Sequence, residues 1–319
     1  MWKVVRGLLL TFGALLAAAS TIAMSARVTG LEWGPLAYAV AALPWASLAA
    51  AAVLVVGLVT RSRALSAIAA VLLIAGAWWL APLYVADQGT ATGTPALTAA
   101  TINLTLGSAD ADAVVALVRD RHVDLLALEE LTPQARERLR VAGLDDLLPH
   151  SAAHPEPGVT GTGLWSRYAI TAVGTVDGFV SQTVQATVQP PSGALTVLAV
   201  HPAAPGPVNH DRWNSDTAHL RDVLAALHGP ILMLGDFNTT RDQHPFRQIE
   251  AMGYVDATDQ AGDGLQLTFP QDRTPVPLVG IDHVLTRQVL FHAGTTATAV
   301  VPNADHRALI VQFFLPSQH

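Results

Sequence analysis

Ile231-Leu232-Met233-Leu234-Gly235-Asp236-Phe237-Asn238 is the stretch on which the fold turns. Four consecutive apolar residues that stop at Gly-Asp-x-Asn read as a buried strand. Its C-terminal end presents a carboxylate and a carboxamide on the same side, two residues apart. Such a pair suits a water molecule held beside a hard cation: Asp236 takes a proton, while Asn238 donates and accepts hydrogen bonds without adding charge. Asp and Asn also dominate the turns that follow strands, so the tetrapeptide alone supports a plain turn equally well.

Polar residues at other strand ends shift that balance. On either side of residues 231–238 the chain alternates strand and helix patterns, the signature of an α/β domain. Strands are expected at 99–106, 124–128, 163–166, 170–176, 183–188, 195–201, 281–286, 296–301 and 308–314. Between them, Ser108 to Asp110 offer caps for a helix to His122, Thr132-Pro133 opens a helix to Val141, and residues 208–228 form a third. Asn103 lies within the first strand, Glu130 closes the second, and His201 ends another. Asp282 starts a late strand and Asp305-His306 precedes the last. In α/β sheets such positions gather along one edge, where ligands bind. Singly, each has an ordinary explanation. Glu130 could favour a helix N-terminus, His201 could be a loop histidine, and Asp282 could cap a turn after Gly280. Asp305-His306 could be a surface pair, although a carboxylate beside an imidazole also orients or protonates it.

Residues 1–86 have a different composition: five basic residues (Lys3, Arg6, Arg27, Arg61, Arg63), one acidic residue (Glu32), and apolar stretches at about 4–24, 36–59 and 64–85. Each approaches the ~20 residues that cross a bilayer core as a helix, so three transmembrane helices are expected. Lys3, Arg6, Arg61 and Arg63 put the N-terminus and the second connection in the cytoplasm, and everything after the third span outside; Arg27 opposes this orientation. Ala23-Met24-Ser25 also resembles a signal-peptide cleavage site, and its use would leave the orientation of the later spans unchanged. Pro44 is expected to kink the second span, and Trp78, Trp79 and Tyr84 to form an interfacial belt.

Residues 87–96 read as a polar linker and 97–316 as one further domain. From residue 87 onward there are 24 acidic side chains against 13 arginines and no lysine, a net charge of about −11 with histidine neutral. A protein that grips nucleic acid non-specifically needs a basic face, so this balance disfavours polyanions. The chain has no cysteine, which makes it indifferent to redox compartment.

Read in order, Asn103, Asp124-Leu-Leu-Ala-Leu-Glu-Glu130, Gly163-Leu-Trp-Ser-Arg167, Val200-His201, Gly235-Asp-Phe-Asn238, Ile281-Asp-His283 and Ala304-Asp-His-Arg307 resemble the endonuclease/exonuclease/phosphatase superfamily. The resemblance spans about residues 98–315. It implies a four-layer sandwich of two β-sheets flanked by helices, here preceded by the three-helix membrane segment, and phosphoester hydrolysis with Mg²⁺ or Mn²⁺. It further implies that Glu130 is the main metal ligand with Asn103 close by, and that Asp305 orients the metal shell. Asp236 would activate the attacking water and Asn238 would hold the water or a phosphoryl oxygen. His306 would stabilise the charge at phosphorus with Asp282 fixing its ring, and His201 would contact the phosphate or the leaving group.

The chain departs from the family pattern in four places. Glu129 stands where glutamine is common, and either joins the metal shell or faces solvent. Val200 and Ala304 replace a frequent threonine and serine, and His283 replaces a common aromatic residue. Helical spans ahead of an outward-facing domain are also similar to the VanJ-type membrane proteins, which implies a phosphate-ester substrate in the lipid bilayer, a lipid-linked phosphate or pyrophosphate. An exported nuclease or general phosphodiesterase is the alternative, and a catalytically inactive binding domain a third.

Overall fold

Runs of about 20 residues without a charge wind into helices three times before residue 85. The computed structural model describes residues 1–87 and 94–315, which divide into two units. The first unit is Met1–Pro82 together with Pro207–Asn209 and Asp242–His244. Its helices are α1 (Trp2–Thr29), α2 (Pro35–Ala41), α3 (Leu43–Thr60) and α4 (Arg63–Leu80). Gly30 closes α1 in the left-handed region, at φ 69°, and returns its N–H to the Ala26 carbonyl. The expected second span, 36–59, is not one kinked helix: it breaks at Ala42 into α2 and α3, with Pro44 in the first turn of α3. Proline lacks the N–H that a continuous helix needs and disfavours helical geometry in the residue before it, so the chain restarts there instead of bending.

Trp2–Thr29, Leu43–Thr60 and Arg63–Tyr84 are each long and apolar enough to cross a membrane. They meet through small residues: a Cβ on Gly57 would lie 2.6 Å from Ser66 Oγ, and one on Gly13 2.9 Å from Val56. Leu8, Leu48, Leu58 and Ile74 are exposed, as side chains that face lipid are. Arg27, which opposes the charge-based orientation, has its charge answered: its Nε donates to Asp242 at 2.9 Å and its guanidinium lies 4.3 Å from the Trp79 ring centroid.

The second unit contains β1 (Leu97–Asn103), α5 (Ala111–Asp120), β2 (Leu125–Glu129), α6 (Pro133–Val141), α7 (Leu144–Leu147), β3 (His150–His154), β4 (Thr162–Ser166), β5 (Ile170–Thr175) and β6 (Val184–Val188). It continues with β7 (Leu195–Val200), α8 (Asp211–Ala226), β8 (Ile231–Asp236), α9 (His244–Glu250, of which the part from Pro245 belongs to this unit), β9 (Val255–Asp256), α10 (Ala257–Ala261), β10 (Asp282–Arg287), β11 (His292–Ala299) and β12 (Ala308–Phe314). The strands form two six-stranded sheets, ordered β11-β12-β1-β2-β4-β3 and β5-β6-β7-β8-β10-β9. Among the described residues, only β1/β2 and β7/β8 pair in parallel. Alternation along each strand divides its residues between two cores. Leu97, Ala99, Leu125 and Ala127 of one sheet meet Val197, Ala199, Leu232 and Leu234 of the other. Ala100, Ile102, Leu126 and Leu128 pack instead on α5, α6 and α7, and Leu198, Val200, Ile231 and Met233 on α8 and α9. Helices on sheet on sheet on helices is the four-layer sandwich expected from the sequence.

Residues 88–93 of the expected 87–96 linker lie outside the described residues. The described ends on both sides are fastened to the second unit. Leu83 O accepts from Gly264 N (2.6 Å), Asp87 N donates to Gln260 O (3.0 Å), and Ala96 N donates to Phe313 O (2.7 Å). The second unit therefore begins at Leu83, ahead of the expected boundary.

Candidate active site

The site is the point where the row of core residues between the sheets turns polar. With a side-chain period of two, the apolar positions 97 and 99 of β1 continue as Thr101 and Asn103. Positions 125 and 127 of β2 continue as Glu129, positions 197 and 199 of β7 as His201, and positions 232 and 234 of β8 as Asp236. β10 runs antiparallel to β8, so Asp282 at its start pairs with Asp236 at the end of β8. β12 is antiparallel to β1, which brings His306, just ahead of it, to the same edge. Gly235 permits the approach: its φ is 152°, and a Cβ there would lie 2.0 Å from the Val200 carbonyl oxygen on β7.

Contacts converge on Asp236. Its Oδ2 accepts from Asn103 Nδ2 at 3.0 Å and lies 3.6 Å from both His201 Nε2 and His306 Nε2. Its Oδ1 accepts from Asn238 N at 2.8 Å. His306 Nδ1 is 2.8 Å from Asp282 Oδ2. Burial alone would pull the His306 pKa down, but Asp282 and Asp236 outweigh it and lift the ring to about 10. The ring is therefore an imidazolium at neutral pH, packed 4.8 Å from the Phe269 ring. Asn238 Nδ2 donates to Pro202 O at 3.0 Å.

Glu130 does not end the strand, as expected, but follows it: β2 stops at Glu129, and Glu130 takes a left-handed conformation, at φ 52°. Asn238 does the same, at φ 49°. Strained conformations of non-glycine residues cost about 1–3 kcal/mol and persist where surrounding structure enforces them. Here the enforcement is visible: Leu106 N donates to Glu130 Oε2 at 2.5 Å, and Asn103 Nδ2 lies 3.4 Å from Glu130 Oε1. Asn103 spends its carbonyl on Thr105 N (2.9 Å), so its amide bridges the two carboxylates Glu130 and Asp236. Asp305 is tied to the same loop but further out: its Oδ1 accepts from Thr105 Oγ1 at 2.5 Å, and Arg273 Nη2 lies 3.6 Å from its Oδ2. Thr105 and Trp213, whose Nε1 donates to Asn238 O at 3.1 Å, carry no strand-end signal in the sequence.

Glu129 corrects one expectation. It neither faces solvent nor reaches the outer loop: it is fully buried beneath the site, with both carboxyl oxygens 2.9 and 3.0 Å from Thr101 Oγ1. Burial, then the charges of Asp282 and Asp236, push its pKa well above the ordinary 4.5. The carboxyl keeps the shape of the glutamine common at that position, and its surroundings favour the neutral form.

The donor set suits a hard divalent cation. Asp236, Asp282 and Glu130 bring acceptor-only oxygens to one edge, and buried Asp282 Oδ1 has no hydrogen-bond partner among the described residues. Ligand atoms of Asp236, Asp282 and His306 all lie within 4.8 Å of one another. A hard cation prefers carboxylate oxygens to imidazole, so those of Glu130 and Asp236 are the better candidates, Asp282 Oδ2 being engaged by the His306 ring at 2.8 Å.

Behind β8 lies a second ionic cluster, in which Arg241 pairs with Asp259 (2.9 and 2.5 Å) next to largely buried Glu250. Burial, then Asp256 and Asp259, lift Glu250 from 4.5 to about 7. Below pH 4.5 both folded and unfolded chains hold this proton; between there and about 7 only the folded chain does. Stability is therefore lost as pH rises through that window, by roughly 3 kcal/mol at 1.36 kcal/mol per unit. Glu250→Gln is expected to raise the melting temperature at pH 8 and leave it unchanged at pH 4.5, as thermal melts of the two chains would read. An equal shift at both pH values contradicts this.

Two mixed sheets between helical layers, with carboxylates, histidines and carboxamides at one edge of the intersheet core, define a fold used by phosphoester hydrolases. The Endonuclease/Exonuclease/phosphatase family model matches residues 100–316, and the chain belongs to that family. Solved structures share the fold at low identity. An AP endonuclease from Archaeoglobus fulgidus matches with TM-score 0.57 and 14% identity, covering 69% of this chain and 100% of that one. A humanized Danio rerio TDP2 matches with TM-score 0.56 and 15% identity, covering 68% and 98%. The 3' phosphatase NExo from Neisseria, bound to a product DNA hairpin, matches with TM-score 0.54 and 18% identity, covering 68% and 99%. No curated protein matches the chain.

Proposed function

We propose that this protein is a membrane-anchored, divalent-metal-dependent phosphoesterase whose substrate is a lipid-linked phosphate or pyrophosphate on the extracytoplasmic face. The observation that carries the chemistry is the convergence of Asn103, His201 and His306 on a single oxygen of Asp236. Mg²⁺ or Mn²⁺ held by Glu130 and Asp236, with Asp305 orienting its shell, would draw charge from the phosphoryl oxygens. Asp236 accepts a proton from the attacking water, and Asn103 keeps its carboxylate in line with Glu130. His306 donates from Nε2 to a non-bridging oxygen and, as a fixed cation, offsets the charge that grows at phosphorus. Asp282 holds that ring by its Nδ1. His201 donates to the phosphate or the leaving oxygen, and Asn238 orients the water through its free carboxamide oxygen.

Three apolar helices and a domain fastened from Leu83 onward support action at a bilayer, and Lys3, Arg6, Arg61 and Arg63 support the outward orientation. A nuclease is the second reading, favoured by the DNA-bound NExo among structures of the same fold and opposed by the −11 charge from residue 87 onward. The full-length chain in vesicles containing a polyprenyl pyrophosphate is expected to release phosphate with Mg²⁺ and to leave supercoiled plasmid intact. Plasmid nicking by wild type but not by Glu130→Gln would transfer the assignment to the second reading. Protease added to intact cells should remove the domain; full protection overturns the orientation.

A further inference from the structure

His283 occupies a position where the family commonly has an aromatic residue, and its sequence context gives no reason for the change. In β10 it pairs with Gly235 and faces away from the intersheet core. Its ring lies between Phe237 and Phe246, at centroid distances of 5.5 and 4.3 Å, so it does the packing of an aromatic residue. What it adds is two nitrogens, both engaged: Nδ1 is 2.8 Å from Asp256 Oδ2 and Nε2 is 3.0 Å from Thr239 O. A backbone carbonyl can only accept, so the Nε2 proton points at Thr239. Asp256 is itself fixed, because its Oδ1 accepts from Thr258 N at 2.7 Å.

Thr239 directly follows the strained Asn238. The turn 236–239 is thus gripped from the front by Asp236 Oδ1 on Asn238 N, from the side by Trp213 on Asn238 O, and from behind by His283 on Thr239 O, with further bonds from Phe237 N to Ile281 O, from Asn238 Nδ2 to Pro202 O and from Trp213 Nε1 to Thr239 Oγ1. The first two grips involve Asn238, which the site itself uses. The third reaches the turn from the side of β10 that faces away from the intersheet core.

We propose that His283 and Asp256 form a positioning pair for the Asp236–Asn238 turn, in which the ring holds Thr239 and Asp256 dictates which way its protons point. The proposal rests on the reading of Asp236 and Asn238 as the water-handling groups. Neither member touches substrate; both act by holding Asn238 in a conformation its backbone disfavours.

The test uses the full-length chain with bis(p-nitrophenyl) phosphate and Mn²⁺, together with hydrogen exchange across residues 237–240. His283→Phe keeps the ring and removes both donors; it is expected to lower kcat about tenfold with KM within about twofold, the size typical of outer supports of a metal site. Asp256→Leu should match it, and the double variant should be no worse than either, since both break one device. Asp256→Asn should retain most of the activity, because its amide can donate to Nδ1 and leave the Nε2 proton on Thr239. Exchange at 237–240 should quicken in the Phe and Leu variants alone. Wild-type kcat in His283→Phe, additive losses in the double variant, or unchanged exchange overturns the proposal. The exchange arm needs no substrate: an inactive wild type would overturn the phosphoesterase reading, while exchange would still decide the pair.

Discussion

Asp236→Asn in the full-length chain is expected to lower kcat about 10³-fold while KM moves little and the melting temperature stays near that of wild type. The carboxamide keeps the size of the side chain but cannot take a proton from water, and general-base contributions lie in the range of about 10²–10⁴. Stability should stay near that of wild type. Asp236 pairs with Asp282 and adds to the charge that raises Glu129, but it also lies 3.6 Å from the His306 ring whose proton it helps to hold, so neutralising it removes a repulsion and an attraction together. Steady-state kinetics on the vesicle substrate, run beside thermal melts, checks both halves. Near-normal kcat would remove Asp236 from the centre of the site.

Asp282→Asn should show its effect chiefly in the pH–rate profile. In the wild type His306 is lifted to about 10, so its protonated form, present at lower pH, is lost only as pH rises through about 10. Replacing the 2.8 Å carboxylate partner with an amide removes the first of the charges that lift it. The alkaline limb of kcat should then move toward neutral pH. At pH 8 to 9 the loss should reach about 10²–10³-fold, the scale set by removing one donor to a developing oxyanion. A profile whose alkaline limb coincides with wild type would mean that the charge on His306 is not what the reaction uses.

Much of this fold was legible because its central strands are long in apolar residues and end abruptly. Residues 231–238 read correctly as a strand with a polar terminus, β12 was expected at 308–314, and Asp110 and Thr132 cap α5 and α6 as their side chains suggest. The four-layer sandwich and the family followed from the order of strand-end motifs. What escaped were elements without periodicity. β3, His150–His154, is an edge strand with two exposed residues, and α9, β9 and α10, of seven, two and five residues, are too short for a period to show. Pro44 was seen, but sequence alone does not say whether neighbouring helices will support a kink, and here the helix restarts instead. Glu129 and His283 were visible as departures without a reason. Their reasons are partners distant in sequence, Thr101 and Asp256, and no local pattern announces a pairing across 28 or 27 residues.

The polar edge continues the core row strand by strand, with the same parity and no intervening loop, in β1, β2, β7, β8 and β10. Strand length is therefore part of the chemistry. One residue inserted anywhere along β8 would leave its hydrogen bonds available and its hydrophobicity nearly unchanged, yet turn Asp236 toward the helical layer and bring a neighbour into its place. Substitutions on these strands can be tried one at a time by evolution; insertions and deletions cannot. The freedom to acquire a new substrate lies in the connections that leave this edge, and the count of residues between core and edge stays fixed.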